Sequence, residues 1–309
     1  MEIIKSLLIL MILVGLGALS RRTNVFKKGD VKVLSSFVFY FSLPALFLVK
    51  ISKMDLTGLD PVLIFGSVLP ILLVFIALII VHSTGLIKRD KFILLSLSVV
   101  MGSNAFFGLA FFEFFKEGYH YANAIVSASF LGAMGIVLSL VIFEFSKEKA
   151  SITKIIASLR KNPLLISIAV GVIFSLIGFS DSFFHSSFEI LGNASGSIAV
   201  FSLGIFLFDK LSMKNLVSSL GYAFFRFIAL AIGVVSILTF FHVFSVDLPS
   251  FDLKQFLLLQ ASIPAAVSLV IFAERYNYKV VEITGMVIAT SLLSFIVMIV
   301  NYYLSYLLF

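Results

Sequence analysis

Ten apolar stretches, each close to 20 residues and separated by short connections, constrain this 309-residue chain more than anything else in it. A helix needs about 20 apolar residues to cross the hydrocarbon core of a bilayer. The candidate spans, numbered 1 to 10, are Ile3–Ser20, Val33–Ile51, Pro61–Val81, Phe92–Phe115, Tyr121–Phe143, Pro163–Phe179, Phe188–Phe208, Leu220–Phe241, Leu253–Phe272 and Val281–Leu307. Apolar residues make up 61% of the chain and charged residues 13%, against roughly 45–50% and 25% in soluble domains. A water-soluble core cannot absorb that excess, whereas lipid can. The fold expected is an all-α polytopic membrane protein with no separate soluble domain. Lys5, the run Leu7–Leu16 and Ala18-Leu19-Ser20 resemble a signal peptide. The internal symmetry argued below needs this segment as a helix, so it is read as retained.

Loop charge orients the spans. Connections after odd-numbered spans hold 17 of the 23 Lys and Arg residues, and the opposite side holds 5. Positive charge stays on the cytoplasmic side, so both termini are expected outside, in a plasma membrane such as the bacterial inner membrane. The formal charge of +7 therefore does not point to nucleic acid. Cys is absent, which excludes disulfides and thiolate chemistry, and with no Trp the 9 Tyr residues must supply any aromatic belt.

The longest connection, Ser146–Asn162, is basic and places Ile152, Ile155, Ile156 and Leu159 at helical spacing. It reads as a short amphipathic helix on the membrane surface. It also divides the chain into residues 1–145, a linker 146–162 and residues 163–309, with five spans on each side. Five is odd, so related halves would enter the membrane in opposite senses. That is the inverted repeat of many secondary transporters.

Such carriers bind substrate near the midplane, where corresponding helices are interrupted. Spans 4 and 9 correspond. Span 4 carries Gly102-Ser103-Asn104, and span 9 carries Gln260-Ala261-Ser262-Ile263-Pro264. From Lys91 to Asn104 is roughly 20 Å of helix, and from Lys254 to Pro264 roughly 15 Å. Both depths fall near the middle of a core about 30 Å thick. Pro264 cannot donate a backbone N–H, and Gly102 weakens a helix by about 1 kcal/mol. Unpaired backbone groups in lipid cost several kcal/mol each, so a break persists only where protein, water or a ligand satisfies it. Ser103, Asn104, Gln260 and Ser262 supply polar side chains at that depth, and half-helix N-termini offer partial positive charge to an anion. Either break alone reads best as a kink whose polar residues bond to neighbouring helices. Their matched position and depth favour a binding site.

The chain resembles the auxin efflux carrier family, which includes plant PIN-like carriers and bacterial malate and malonate permeases. The resemblance runs end to end in segments: FVFYFSLPALF at Phe37–Phe47, GSNAFFGLA from Gly102, LGNASGSIAVFSLG from Leu191, QASIPAAVSLVIFAERY from Gln260, and Thr290-Ser291-Leu292-Leu293-Ser294. Where the family often has Pro in spans 4 and 7, this chain has Ala110 and Ser197, so those helices are expected to be straighter. The resemblance implies ten helices in two inverted repeats, with helices 4 and 9 crossing at their broken midpoints as in bile-acid sodium symporters. It further implies helices 1, 2, 6 and 7 as a scaffold beside a mobile crossover domain, an organic anion as cargo, and a homodimer.

Arg226 is the one cation inside a span. It reads either as an Arg snorkelling to the headgroups or as a counter-charge to an anion or part of a gate. Pro44 in span 2 is either a simple kink or part of the scaffold side of the site. Glu113 follows the span-4 break and is the candidate proton or sodium coupling residue. The His residues lie at span ends without metal-ligand spacing, so no metal or cofactor is expected. Asn193-Ala194-Ser195 fits a glycosylation sequon inside span 7 and is rejected for that reason. Gly192 and Gly196 read as close helix packing. The expected function is secondary active transport of a small organic anion, with no enzymatic activity. A channel would need recurring filter groups, and an enzyme would need catalytic groups at depth. A sensor with the carrier fold would bind without flux.

Overall fold

The computed structural model describes residues 2–54, 60–118, 120–147, 152–179, 182–243 and 250–309. Part of the expected linker, including Lys149, lies outside these residues. The helices in chain order are α1 (Glu2–Arg22), α2 (Asp30–Phe37), α3 (Leu43–Ser52), α4 (Pro61–Ser83), α5 (Arg89–Val100), α6 (Leu109–Phe114), α7 (Tyr121–Phe145) and α8 (Ile152–Arg160). They continue with α9 (Pro163–Leu176), α10 (Ser182–Asn193), α11 (Ser195–Lys210), α12 (Met213–Val243), α13 (Phe251–Gln260), α14 (Ser268–Tyr276) and α15 (Val280–Leu308). Among the described residues there is no strand, only an isolated antiparallel bridge between Gly102 and Ala265.

Among the described residues, seven helical stretches are long and apolar enough to cross a membrane: Ile3–Arg22, Asp30–Ser52, Pro61–Ser83, Tyr121–Phe145, Phe183–Lys210, Met213–Val243 and Val280–Leu308. Expected spans 4, 6 and 9 are shorter. Span 6 is α9 alone, 14 residues long. Spans 4 and 9 are each divided, into α5 and α6 and into α13 and α14. Residues 152–160 of the linker are helical, as their spacing predicted.

The chain forms two compact units. The first comprises Met1–Asp60, Ala105–Ala133 and Ile152–Lys210, and the second Pro61–Asn104, Met134–Ser151 and Leu211–Phe309.

In the first unit α1 packs on α11 with backbones nearly touching. A Cβ on Gly204 would run into the Val14 carbonyl and lie 2.9 Å from the Ala18 nitrogen, so only glycine fits. Close approach of this kind replaces the hydrophobic drive that helices lack in lipid. Gly192 and Gly196 are both used, against different neighbours. A Cβ at 192 would lie 2.9 Å from the Leu46 nitrogen of α3, and one at 196 would lie 3.2 Å from Glu113 Oε2. Pro44 sits in the first turn of α3. Its missing N–H is accommodated by a π-turn at Val38–Ser42, in which Leu43 N bonds to Val38 O. Ser42 Oγ crosses to Leu191 O at 2.6 Å. Span 7 has a one-residue turn at Ala194, between α10 and α11, within the stretch Phe183–Lys210. The Asn-Pro pair at 162–163 starts α9, where the Asn162 carboxamide accepts from Leu164 N at 3.0 Å and proline fills the first turn.

In the second unit α12 packs on α4 and α15. Gly233 admits Pro70 of α4, and a Cβ at Gly285 of α15 would lie 2.5 Å from Ser219 Oγ of α12. The half-helices are enclosed: every residue from Phe92 to Val100 of α5 and from Gln255 to Gln260 of α13 is buried. Irregular backbone at membrane depth is tolerated only under such cover.

Candidate functional site: two broken helices crossing in the second unit

Helix α5 stops at Val100, and Met101 turns to extended backbone (φ −120°, ψ 90°). Helix α13 stops at Gln260 and tightens into successive turns before Pro264, with Ser262 N on Leu259 O at 2.9 Å and Ile263 N on Gln260 O at 3.1 Å. The freed backbones then pair. Ser103 N donates to Pro264 O at 2.8 Å and Ala266 N donates to Met101 O at 3.0 Å, flanking the Gly102–Ala265 bridge. Four backbone groups that the breaks would strand are thus satisfied by the partner break. Ala265 N donates to Thr290 Oγ1 of α15 at 3.1 Å. Ala110 does not straighten span 4, because the break lies earlier, at 101–103, and is followed by a π-turn at Asn104–Gly108.

Arg226 of α12 lies beneath this crossing. It is 2% exposed, so it does not snorkel. Thirteen residues separate it from the start of α12 at Met213, about 20 Å of helix. Nε and Nη2 both donate to Ile263 O, at 3.1 and 2.9 Å. Nη1 donates to Val99 O at 3.2 Å and also to Ser98 O. One guanidinium therefore caps the carbonyl end of α5 and the turn that follows α13. Gly102 leaves it room, since a Cβ there would lie 2.8 Å from Nη2 and 2.9 Å from Asn104 Nδ2.

The other expected residues of this crossing divide by what they touch. Ser262 is fully buried and accepts from Asn301 Nδ2 at 2.8 Å, while the same Nδ2 reaches Leu258 O at 3.2 Å. Its hydroxyl is occupied in locking the end of α13 to α15. Gln260 is 8% exposed, and its Oε1 accepts from Ser67 Oγ of α4 at 3.0 Å. Ser103 and Asn104 are each 6% exposed. The Asn104 carboxamide, with two donors and an acceptor oxygen, makes no hydrogen bond among the described residues. Pro264 contributes its carbonyl to the pairing as well as the break. Ser103, Asn104, Gln260, Ser262, Pro264 and Arg226 all belong to the second unit, whereas Pro44 and Glu113 belong to the first. There Glu113 is half-buried on α6, beside Gly196 of α11.

Two contributors went unread in the sequence, Asn301 and Ser67, and Thr290 was read only as part of a motif, without a role. A signal existed for Asn301 and Thr290. Thr290, Ser294, Asn301 and Ser305 mark one face of α15, and Gln255 of α13 reaches Ser305 Oγ at 2.9 Å. Ser67 carries no pattern, being one hydroxyl in an apolar span.

Two comparisons bear on identity. Residues 147–302 match the membrane transport protein family, a stretch that holds Arg226, the span-9 break and Thr290. An uncharacterized transporter of Methanocaldococcus jannaschii is 23% identical over 308 residues, covering 94% of each chain. With the motifs above, these matches make the chain a member of the auxin efflux carrier family of membrane transport proteins.

Proposed function

We propose that the chain is a secondary carrier that moves a small organic anion, a mono- or dicarboxylate, by alternating access of an elevator type. In this reading ten membrane segments form two inverted repeats, 1–145 and 163–309, joined by the cytoplasmic linker 146–162. The divided segments α5/α6 and α13/α14 count as crossings 4 and 9. Both termini lie outside, and two copies form a dimer. Protons or sodium are the candidate coupling ions, with Glu113 the coupling residue.

The observation that carries the reading is Asn104. A carboxamide 6% exposed, without a protein partner among the described residues, stands beside a helix crossing whose backbone is otherwise paired. Its amide atoms keep some access from outside the protein, so a solute can reach them and supply the hydrogen bonds the protein does not. An anion is favoured by the positive end of α14, which begins just beyond Ala265. Gln260 completes the polar set.

The test is flux into proteoliposomes, with substrates first screened by thermal shift against mono- and dicarboxylates. Losing a hydrogen bond to an ionised ligand costs about 1.5–3 kcal/mol, so Asn104→Ala should lower apparent affinity by roughly 10- to 100-fold. Gln260→Ala should act in the same direction. Wild-type transport by both variants would refute the site, and single-channel conductance would refute the carrier.

A further inference from the structure

Two half-helices end at the crossing with their carbonyls facing inward, and each C-terminus carries about half a negative charge. Unwound carbonyls and half-helix C-terminal ends of this kind are what hold sodium in many broken-helix carriers. Here Ser98 O, Val99 O and Ile263 O are all taken by a single guanidinium. No carboxylate pairs with Arg226 among the described residues. Its positive charge is offset instead by the C-terminal end of α5, whose last turn supplies Ser98 O and Val99 O, and by the Ile263 carbonyl in the turn after α13. Gly102 leaves the space that the guanidinium fills.

We infer that Arg226 is a tethered cation standing where a dissociable coupling cation would otherwise bind, so that the crossing holds its charge permanently and needs no sodium. Its consequence for transport rests on the carrier reading above. The proposal separates two roles that a buried Arg could have. If it acted only as a set of donors, a neutral donor would serve nearly as well. A charge role requires a cation, and a free one should substitute when the tethered one is removed.

The experiment compares wild type, Arg226→Lys and Arg226→Gln, purified in detergent. Thermal unfolding is followed in choline, sodium and methylguanidinium chlorides at equal ionic strength. Wild type should unfold at the same temperature in all three salts. Arg226→Lys keeps the charge and should lie closer to wild type than Arg226→Gln. Arg226→Gln should unfold lower in choline and recover several degrees, saturably, in millimolar methylguanidinium or sodium, as expected for a ligand that binds only the folded state. Lys and Gln variants of equal stability with no response to any cation would overturn the proposal. So would a wild type stabilised by sodium and a Gln variant that is not. Should Arg226→Gln fail to fold, the Lys variant and wild type still decide: sodium stabilising either one, with Glu113→Gln introduced to remove the other candidate sodium site, overturns the idea. These readouts need no substrate. A sodium-insensitive wild type with salt-rescued Arg226→Gln, alongside an Asn104→Ala that transports normally, would keep this inference and discard the substrate site.

Discussion

Replacing Gly102 by alanine tests whether the crossing depends on the guanidinium beneath it. The added Cβ would lie 2.8 Å from Arg226 Nη2 and 2.9 Å from Asn104 Nδ2. Comfortable carbon–nitrogen contact begins near 3.5 Å, so the guanidinium must retreat by about 0.6–0.7 Å. That stretches the 2.9 Å bond from Nη2 to Ile263 O to the edge of hydrogen bonding. A hydrogen bond to a charged group contributes about 1.5–3 kcal/mol, and inserting a methyl group into a packed interior costs about 1–3 kcal/mol. The two overlap, since the same movement relieves the crowding, so the expected loss is about 2–3 kcal/mol. Gly15 of α1 provides the control, because a Cβ there meets nothing within 4 Å. Gly15→Ala should be neutral, or stabilising by up to about 1 kcal/mol. Denaturant titration in micelles, read by far-ultraviolet circular dichroism, measures both. If Gly102→Ala unfolds within about 0.5 kcal/mol of wild type, the close approach of Gly102 to Arg226 has no energetic weight, and the account of the crossing is wrong.

Two further outcomes follow from the same unit. Asn301→Ala removes the donor to the Ser262 hydroxyl and the shorter of the two bonds to the Leu258 carbonyl, leaving Ser262 Oγ on Leu258 O at 3.5 Å, and should destabilise the protein by about 1 kcal/mol in the same titration, with Asn301→Asp no better because it lacks the donors. Asp90, Tyr278 and Lys279 form a cluster outside the spans, with Tyr278 Oη donating to Asp90 Oδ1 at 3.0 Å and Lys279 Nζ 3.2 Å from Oδ2. Hydrogen bonds from Tyr278 and Lys279 hold the Asp90 carboxyl below the usual carboxylate range, and the bond to Asp90 raises the Lys279 ammonium above the usual lysine range. The carboxyl contribution is present above the unfolded-state value near pH 4 and fades as pH falls through the lower folded value. The lysine contribution is complete below the unfolded value near pH 10.4 and fades as pH rises through the higher folded one. Between those limits Asp90→Asn should show a flat pH profile and only a small loss of stability, because the pair is solvent-exposed and screened. A large loss at neutral pH would contradict this.

Much of the fold could be read from pattern. Apolar runs located the helices because burial in lipid demands length and hydropathy and little else. Both breaks were legible, since Gly102 and Pro264 disrupt a helix by local chemistry alone. The expectation that Ala110 and Ser197 leave straighter helices met a physical limit. Proline is neither sufficient nor necessary to interrupt a helix: α4 runs through Pro70, whereas at 101–103 the chain breaks without proline. Within the candidate site, Ser262 and Asn104 looked alike as sequence. They differ because Asn301, 39 residues away, reaches one of them and no described group reaches the other.

The sequence by itself determined that the chain is helical, apolar and interrupted in spans 4 and 9, because those properties follow from each residue's own volume, polarity and backbone freedom. It could not say how the interruptions are satisfied. That depends on partners far apart in the chain: Met101 with Ala266, Ser103 with Pro264, Ala265 with Thr290, and Arg226 with three carbonyls from two helices. Hydrogen bonding at a buried break is set by which groups come within 3 Å of one another, and only the tertiary structure decides that. The same geometry turned Arg226 from an ambiguous charge in an apolar span into a tie between the end of α5 and the turn after α13.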